Sequence, residues 1–254
     1  MRSTLERALA NRVEALREMQ LAPVNVAVLD SGVDATHPDL TSRVRRAFGV
    51  VIDAAAANQV AETTVPKNND TYGHGTAVGS IIASIAPNAA LFDYRILGAD
   101  NSGAGDALLT SLKHALDAGH RIINMSLAAT PQFAARLLPL CDRAYRNGQV
   151  IVAAKRNMPL ADMGYPAEIA TVISVDRGKF ETNLALRYAP NSVIEFVGHG
   201  EEVVVAAPGG GYTTKNGTSF ATPAVTGLVA LVLGAFPDLR PFEVKSLLRS
   251  WSLE

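Results

Sequence analysis

The chain has 254 residues, 48% of them hydrophobic and 19% charged, enough to bury a full core, and that length suits one α/β domain. A formal net charge of −1 leaves no basic surplus to neutralise phosphates, so a nucleic-acid partner is not expected. The single cysteine, Cys141, cannot close an internal disulfide and reads as a buried, inert thiol.

Residues 1–23 carry charges throughout and lack a continuous apolar run, so neither a secretory leader nor a membrane span is read there, and no membrane partner is expected. Leu5, Leu9, Val13 and Leu16 fall on one helical face, and Ser3 with Glu6 has capping-box spacing. A helical extension docked on the following domain is expected, with a partner-binding or residual inhibitory segment as the alternative.

From residue 24 onward, short β-branched runs alternate with helical patterns. The runs are VNVAVLD (24–30), ALFDYRI (90–96), RIINMS (121–126), QVIVAA (149–154), TVISV (171–175) and EVVVAA (202–207). Several are apolar at consecutive positions, as strands covered on both faces must be. The expected fold is therefore α/β, a doubly wound, mainly parallel sheet with helices on both faces. Helices are expected after His74, over 105–118 and 131–146, after Ser219 and over 241–250, while the polar, alanine-rich stretch from Asp53 to Asp70 reads as a surface loop.

Three residues stand where chemistry could occur. Asp30 ends an apolar strand and opens DSGVD, at the sheet edge where ligand crevices form, although an Asp after a strand is commonly a turn former. His74, between Gly73 and Gly75, begins a helical run whose positive dipole end favours the neutral imidazole that a general base requires; a lone histidine is otherwise commonly structural. Ser219 in NGTSFATP precedes a long apolar helix, where a hydroxyl could cap the helix or act as a nucleophile beside amides that bind an oxyanion.

The order Asp, His, Ser is one of the known orders of the hydrolytic triad. The segments VAVLDSGVDATHPDL, YGHGTAVGSII and NGTSFATPAVTG closely resemble the Asp, His and Ser signatures of the subtilisin-like serine peptidase family, and YRILGADNSGAG and IINMSLA also resemble it. The likeness runs over about residues 24–250 and makes 24–254 the expected peptidase domain. It implies that Asp30 orients and supports His74, that His74 takes the proton from Ser219, and that Ser219 forms an acyl-enzyme. In VIVAAKRN it places Asn157 as a side-chain oxyanion donor.

The same resemblance lays a substrate strand between Asn101-Ser102-Gly103 and Ser126-Leu127-Ala128. It walls the pocket for the residue preceding the scissile bond with Ser126 to Ala128 and with Ala154, Lys155 and Arg156, above a floor at Gly164. This chain departs from the family by having Ala128 where glycine is usual and Lys155-Arg156 where Ala-Gly is usual. A narrowed or cationic pocket is expected, preferring small or acidic residues, with side chains of Lys155 and Arg156 turned to solvent as the alternative. Because Arg156 lacks the conformational range of glycine, the loop carrying Asn157 is expected on an altered path.

SIIASIAPNAALFDYRIL lacks the longer loop that carries a tight calcium site in many relatives, so no cofactor is expected; weak calcium sites on scattered backbone carbonyls stay open. His37, His114, His120 and His199 show no zinc-ligand spacing, and Gly209-Gly210-Gly211 reads as a flexible connection near Ser219. The expected partner is a peptide or protein substrate, with a propeptide or inhibitor as a further candidate. Competing readings are a catalytically silent relative that binds peptides in the same cleft and a hydrolase of small esters or amides. An intracellular enzyme is favoured over a secreted mature domain lacking its leader.

Overall fold

A computed structural model describes residues 11–51, 58–65, 67–157 and 163–252. Its framework is a nine-stranded sheet. At the centre, β1 (Val24–Asp30) pairs in parallel with β4 (Ala89–Arg95) on one side and β5 (Ile122–Met125) on the other. β2 (Val44–Val51) extends the sheet beyond β4, and β6 (Val150–Ala154), β7 (Ile173–Gly178) and β9 (Phe196–His199) extend it beyond β5, all parallel. Antiparallel strands β3 (Gln59–Thr63) and β8 (Leu186–Tyr188) form the two edges, giving the order β3-β2-β4-β1-β5-β6-β7-β9-β8.

Alternate residues of β1 feed two cores. Val26 and Val28 pack with α1 (residues 11–17), α2 (His74–Ile85), α5 (Thr218–Ala235) and α6 (Pro241–Trp251), whereas Ala27 and Leu29 pack with α3 (Gly105–Asp117) and α4 (Ala134–Arg146). This explains why the strand is apolar at nearly every position. α5 is long and apolar enough by composition to cross a membrane, yet 89% of that stretch is buried, and it is the central helix of the larger core. In the described part of the N-terminal helix, Val13 and Leu16 are buried in that core, and Arg17 donates to the carbonyls of Ser84 and Ile85 at the end of α2. Ser3, Leu5, Glu6 and Leu9 lie outside the described residues.

The helices match the expected ones closely, but the expected strands lack β2, β3, β8 and β9, and one of them is misplaced. The run 202–207 does not join the parallel sheet; β10 (Val203–Ala206) forms a separate hairpin with β11 (Tyr212–Lys215). Gly209, Gly210 and Gly211 are the turn of that hairpin, at φ of 81°, 96° and 85°, values that favour glycine. Part of the stretch read as a loop is β3, an exposed edge strand whose hydrogen bonds to β2 require no apolar pattern.

Asp93 is an anomaly in the core. It stands on β4, fully buried, with Oδ2 accepting from Val33 N–H at 3.2 Å and Oδ1 without a partner among the described residues. Burial pushes its pKa up to about 8, with the nearby charges of Asp70 and Asp30 acting in the same direction against the bond from Val33 and the charge of Arg95. A carboxyl with an unfolded pKa of about 3.9 that keeps its proton only when folded makes stability fall as pH rises from there to its folded pKa. Asp93→Asn should therefore melt above the wild type at pH 8, and the gap should shrink towards pH 4 in paired thermal denaturation curves; a gap independent of pH would refute the protonated buried acid.

Candidate active site

The carboxyl ends of β1, β4 and β5 meet where the chain switches faces, since α2 lies on one side of the sheet and α3 on the other. Asp30 ends β1 at this point. α2 begins directly above it, and the approach is close enough that a Cβ on Gly75 would lie 2.1 Å from the Gly32 carbonyl oxygen and 3.1 Å from Asp30 Cβ. Only glycine permits that contact. It brings His74 Nδ1 to 2.7 Å from Asp30 Oδ1, with both side chains buried. Asp30 Oδ1 also accepts the Ser31 N–H at 2.7 Å, which fixes the carboxylate.

The electrostatics of His74 differ from the dipole-based expectation. Burial works against the imidazolium, but the charge and hydrogen bond of Asp30, joined by the charge of Asp70, outweigh both burial and the opposing charge of Lys215, so the pKa is raised above 6.5.

Asp70, four residues before His74, was missed as a site residue. Its Oδ1 accepts from Ser31 Oγ at 2.8 Å, Gly73 N–H at 2.7 Å and Tyr72 N–H at 3.0 Å, and its Oδ2 accepts from Thr76 Oγ1 at 2.6 Å and Thr76 N–H at 2.9 Å. One carboxylate thus ties the turn after β1 to the first turn of α2. The signal was legible: an Asp shortly before a helix start is a natural acceptor for its free amides.

Ser219 sits in the first turn of α5, and its Oγ donates to the Ser126 carbonyl at 2.9 Å. Ser219, His74 and Asn157 line one cavity of about 510 Å³. Asn157 Oδ1 accepts Thr218 N–H at 3.2 Å, which leaves its Nδ2 near Gly217, and Thr218 Oγ1 donates to the Lys155 carbonyl at 2.7 Å. The loop after β6 is thereby fastened to the helix bearing Ser219. Arg156 is accommodated without a positive φ, and Asn157 still reaches the cavity.

On the other side of Ser219, a second cavity of about 500 Å³ is lined by both predicted substrate-binding segments, Asn101-Ser102-Gly103 and Ser126-Leu127-Ala128. A buried chain supports the second segment: Thr226 Oγ1 donates to Asn124 Oδ1 at 2.7 Å, and Asn124 Nδ2 donates to Ser126 Oγ at 3.0 Å.

The remaining pocket residues lie close together. Arg156 N–H donates to the Met163 carbonyl at 2.7 Å and its Nη2 to the Ala129 carbonyl at 2.7 Å, so its side chain spans from the β6 loop to the facing segment. A Cβ on Gly164 would lie 2.7 Å from Ala128 Cβ and 3.1 Å from Arg156 Cβ. Lys155 follows neither expected course: it is turned neither to the pocket nor to open solvent, because its amine is 2.7 Å from Asp176 at a side-chain exposure of 20%. Ala154, at the end of β6, is buried. α2 and β4 are joined by residues 86–88 alone, and among the described residues no group of three or more His, Cys, Asp or Glu is placed to hold a metal.

An Asp–His pair at the switch point of a parallel sheet, with a serine at a helix start beside it, defines a serine hydrolase. The subtilase family model matches residues 22–252. Subtilisin DY of Bacillus licheniformis is 31% identical over 242 residues, covering 90% of this chain and 83% of that protein, and subtilisin BL of Lederbergia lenta is 32% identical over 236 residues, covering 89% and 82%. Among solved structures, a psychrophilic protease, S41, superposes with a TM-score of 0.72 at 26% identity over 94% of this chain and 88% of its own. A cold-adapted subtilisin-like serine proteinase also gives 0.72, at 22% identity over 92% and 83%. The chain belongs to the subtilase family and is a serine-type endopeptidase.

If the Asp70 charge helps to raise the His74 pKa, Asp70→Asn should move the acid limb of the kcat/KM pH profile to lower pH as well as reduce the rate. A reduced rate with an unmoved limb would assign Asp70 a purely structural role.

Proposed function

We propose that this endopeptidase works through Ser219 as nucleophile, His74 as general base and then general acid, and Asp30 as the group that orients and stabilises the imidazolium. The observation that carries the reading is the 2.7 Å contact of Asp30 with His74 inside a cavity shared with Ser219. Substrate binding must rotate the Ser219 hydroxyl from the Ser126 carbonyl towards the free nitrogen of His74. Such bonds commonly form only in the Michaelis complex. His74 takes the proton as Oγ adds to the peptide carbonyl, and the oxyanion is received by Asn157 Nδ2 and the Ser219 amide, which has no intrahelical acceptor in the first turn of α5. Collapse of the intermediate hands the proton to the leaving amine and leaves the acyl-enzyme, which water hydrolyses by the same steps in reverse roles.

A fluorophosphonate probe should label the wild type and leave Ser219→Ala unlabelled. Asn157→Ala should retain labelling of the folded protein but lose about a hundredfold or more in turnover. A folded wild type that resists the probe would favour the catalytically silent, peptide-binding reading.

For the residue preceding the scissile bond, the close packing of Ala128, Arg156 and Gly164 supports a short pocket that takes small side chains. The acidic preference loses its support from Lys155, whose charge is committed to Asp176. Ala128→Gly combined with Arg156→Gly should raise kcat/KM for peptides with Phe at this position relative to Ala; a wild type that already prefers Phe would refute the short pocket.

A further inference from the structure

The cavity shared by His74, Asn157 and Ser219 extends past them to Tyr72, Pro208, Thr213, Lys215 and Phe220. Apart from the histidine, Lys215 is the only lysine, arginine, aspartate or glutamate among the described residues that line it. We propose that this cavity receives the leaving-group side of the substrate and that Lys215 selects peptides with a carboxylate there. The proposal rests on the peptidase reading above and names a substrate preference for the same site.

A peptide whose acyl portion lies between residues 101–103 and 126–128 must pass over Ser219 and continue beside His74, because His74 has to reach the departing amine. The space beyond His74 is the cavity that it shares with Asn157 and Lys215, so the first residues after the scissile bond enter it. Lys215 ends β11, and the period of two along that strand puts Thr213 and Lys215 on one face, both lining the cavity. The hairpin that carries them is pinned at several points. Gly209 N–H donates to Asp34 Oδ2 at 2.7 Å, His37 Nε2 lies 3.0 Å from the Gly211 carbonyl, Tyr212 Oη donates to Asp39 at 2.9 Å, and Ala206 N–H donates to Ser80 Oγ at 3.2 Å.

Lys215 has no ion-pair partner among the described residues, in contrast to Lys155, which is held by Asp176, and Lys179, which is held by Glu202. Lys215 is an exposed residue, which leaves its amine available to a carboxylate that enters the cavity. The cationic selectivity expected on the acyl side is therefore assigned to the opposite side of the nucleophile. An acidic side chain or a free chain terminus supplies the same carboxylate.

The test separates binding from catalysis by using Ser219→Ala. Peptides spanning the cleft carry Glu, Gln or Lys at the first or second leaving position, and a further pair ends two residues beyond the bond as a free acid or an amide. Glu should bind roughly tenfold tighter than Lys at low salt, and the difference should shrink as salt rises. It should persist in Ser219→Ala with Lys215→Arg and fall below about twofold with Lys215→Met. An advantage confined to the free acid would assign the carboxylate to a chain terminus, and one confined to Glu to a side chain. Equal binding of Glu and Lys peptides, or a preference that survives Lys215→Met, would overturn the proposal. Fluorophosphonate labelling of the intact enzyme reports separately on the peptidase reading.

Discussion

Everything in the site depends on how closely α2 approaches the end of β1. The helix can reach Asp30 because Gly75 presents no Cβ to the Gly32 carbonyl, and the turn below it is itself held against the residue 69–70 backbone, where a Cβ on Gly32 would lie 2.2 Å from the Asn69 oxygen. These contacts are between backbones, which cannot move aside as a side chain can. They convert a separation of 44 residues in the chain into a 2.7 Å hydrogen bond. The buried sheet supplies the rigid base, since both Asp30 and the start of α2 rest on fully packed core.

Once that distance is set, charge decides the behaviour of the histidine. Three carboxyl groups, on Asp30, Asp70 and Asp93, lie within electrostatic reach of one another below the helix start, and their environments differ. Asp30 faces the imidazole directly, Asp70 is saturated with hydrogen-bond donors, and Asp93 is enclosed with one donor and holds its proton to about pH 8. The charges of Asp30 and Asp70 raise the imidazole pKa, while Asp93 stays neutral deeper in the core, so three like charges are not forced into one buried region. The side of the cavity that holds Asn157 is built by a different device: Thr218 locks the loop after β6 through its hydroxyl and, through its amide, orients Asn157.

The sequence made the helices legible because each joins an apolar period to a terminal signal, such as Gly73 before α2, Gly217 before α5 and Pro241 at the start of α6. The central strands were legible from their consecutive apolar residues. β2 and β9 were not read, and neither were β3 and β8, since an edge strand three to five residues long needs only backbone partners. β10 has the apolar pattern of a sheet strand and pairs elsewhere, and no local signal records the partner of a strand. The four proposed chemical positions stood out because short motifs surround them. Asp70 and Lys215 did not stand out in the sequence, because only folding brings their charges near His74. The orientation of Lys155 depended on Asp176, a residue 21 positions further along on the next strand, brought beside it only by the sheet.

The most direct measurement is the proton NMR spectrum of the protein across a pH titration, followed at the His74 Nδ1 proton. A short Asp30–His74 hydrogen bond predicts a strongly downfield resonance that shifts further as the imidazole is protonated, with a midpoint above 6.5, and that disappears in Asp30→Asn. A His74 that titrates at or below 6.5, or a downfield resonance indifferent to Asp30, would contradict the account.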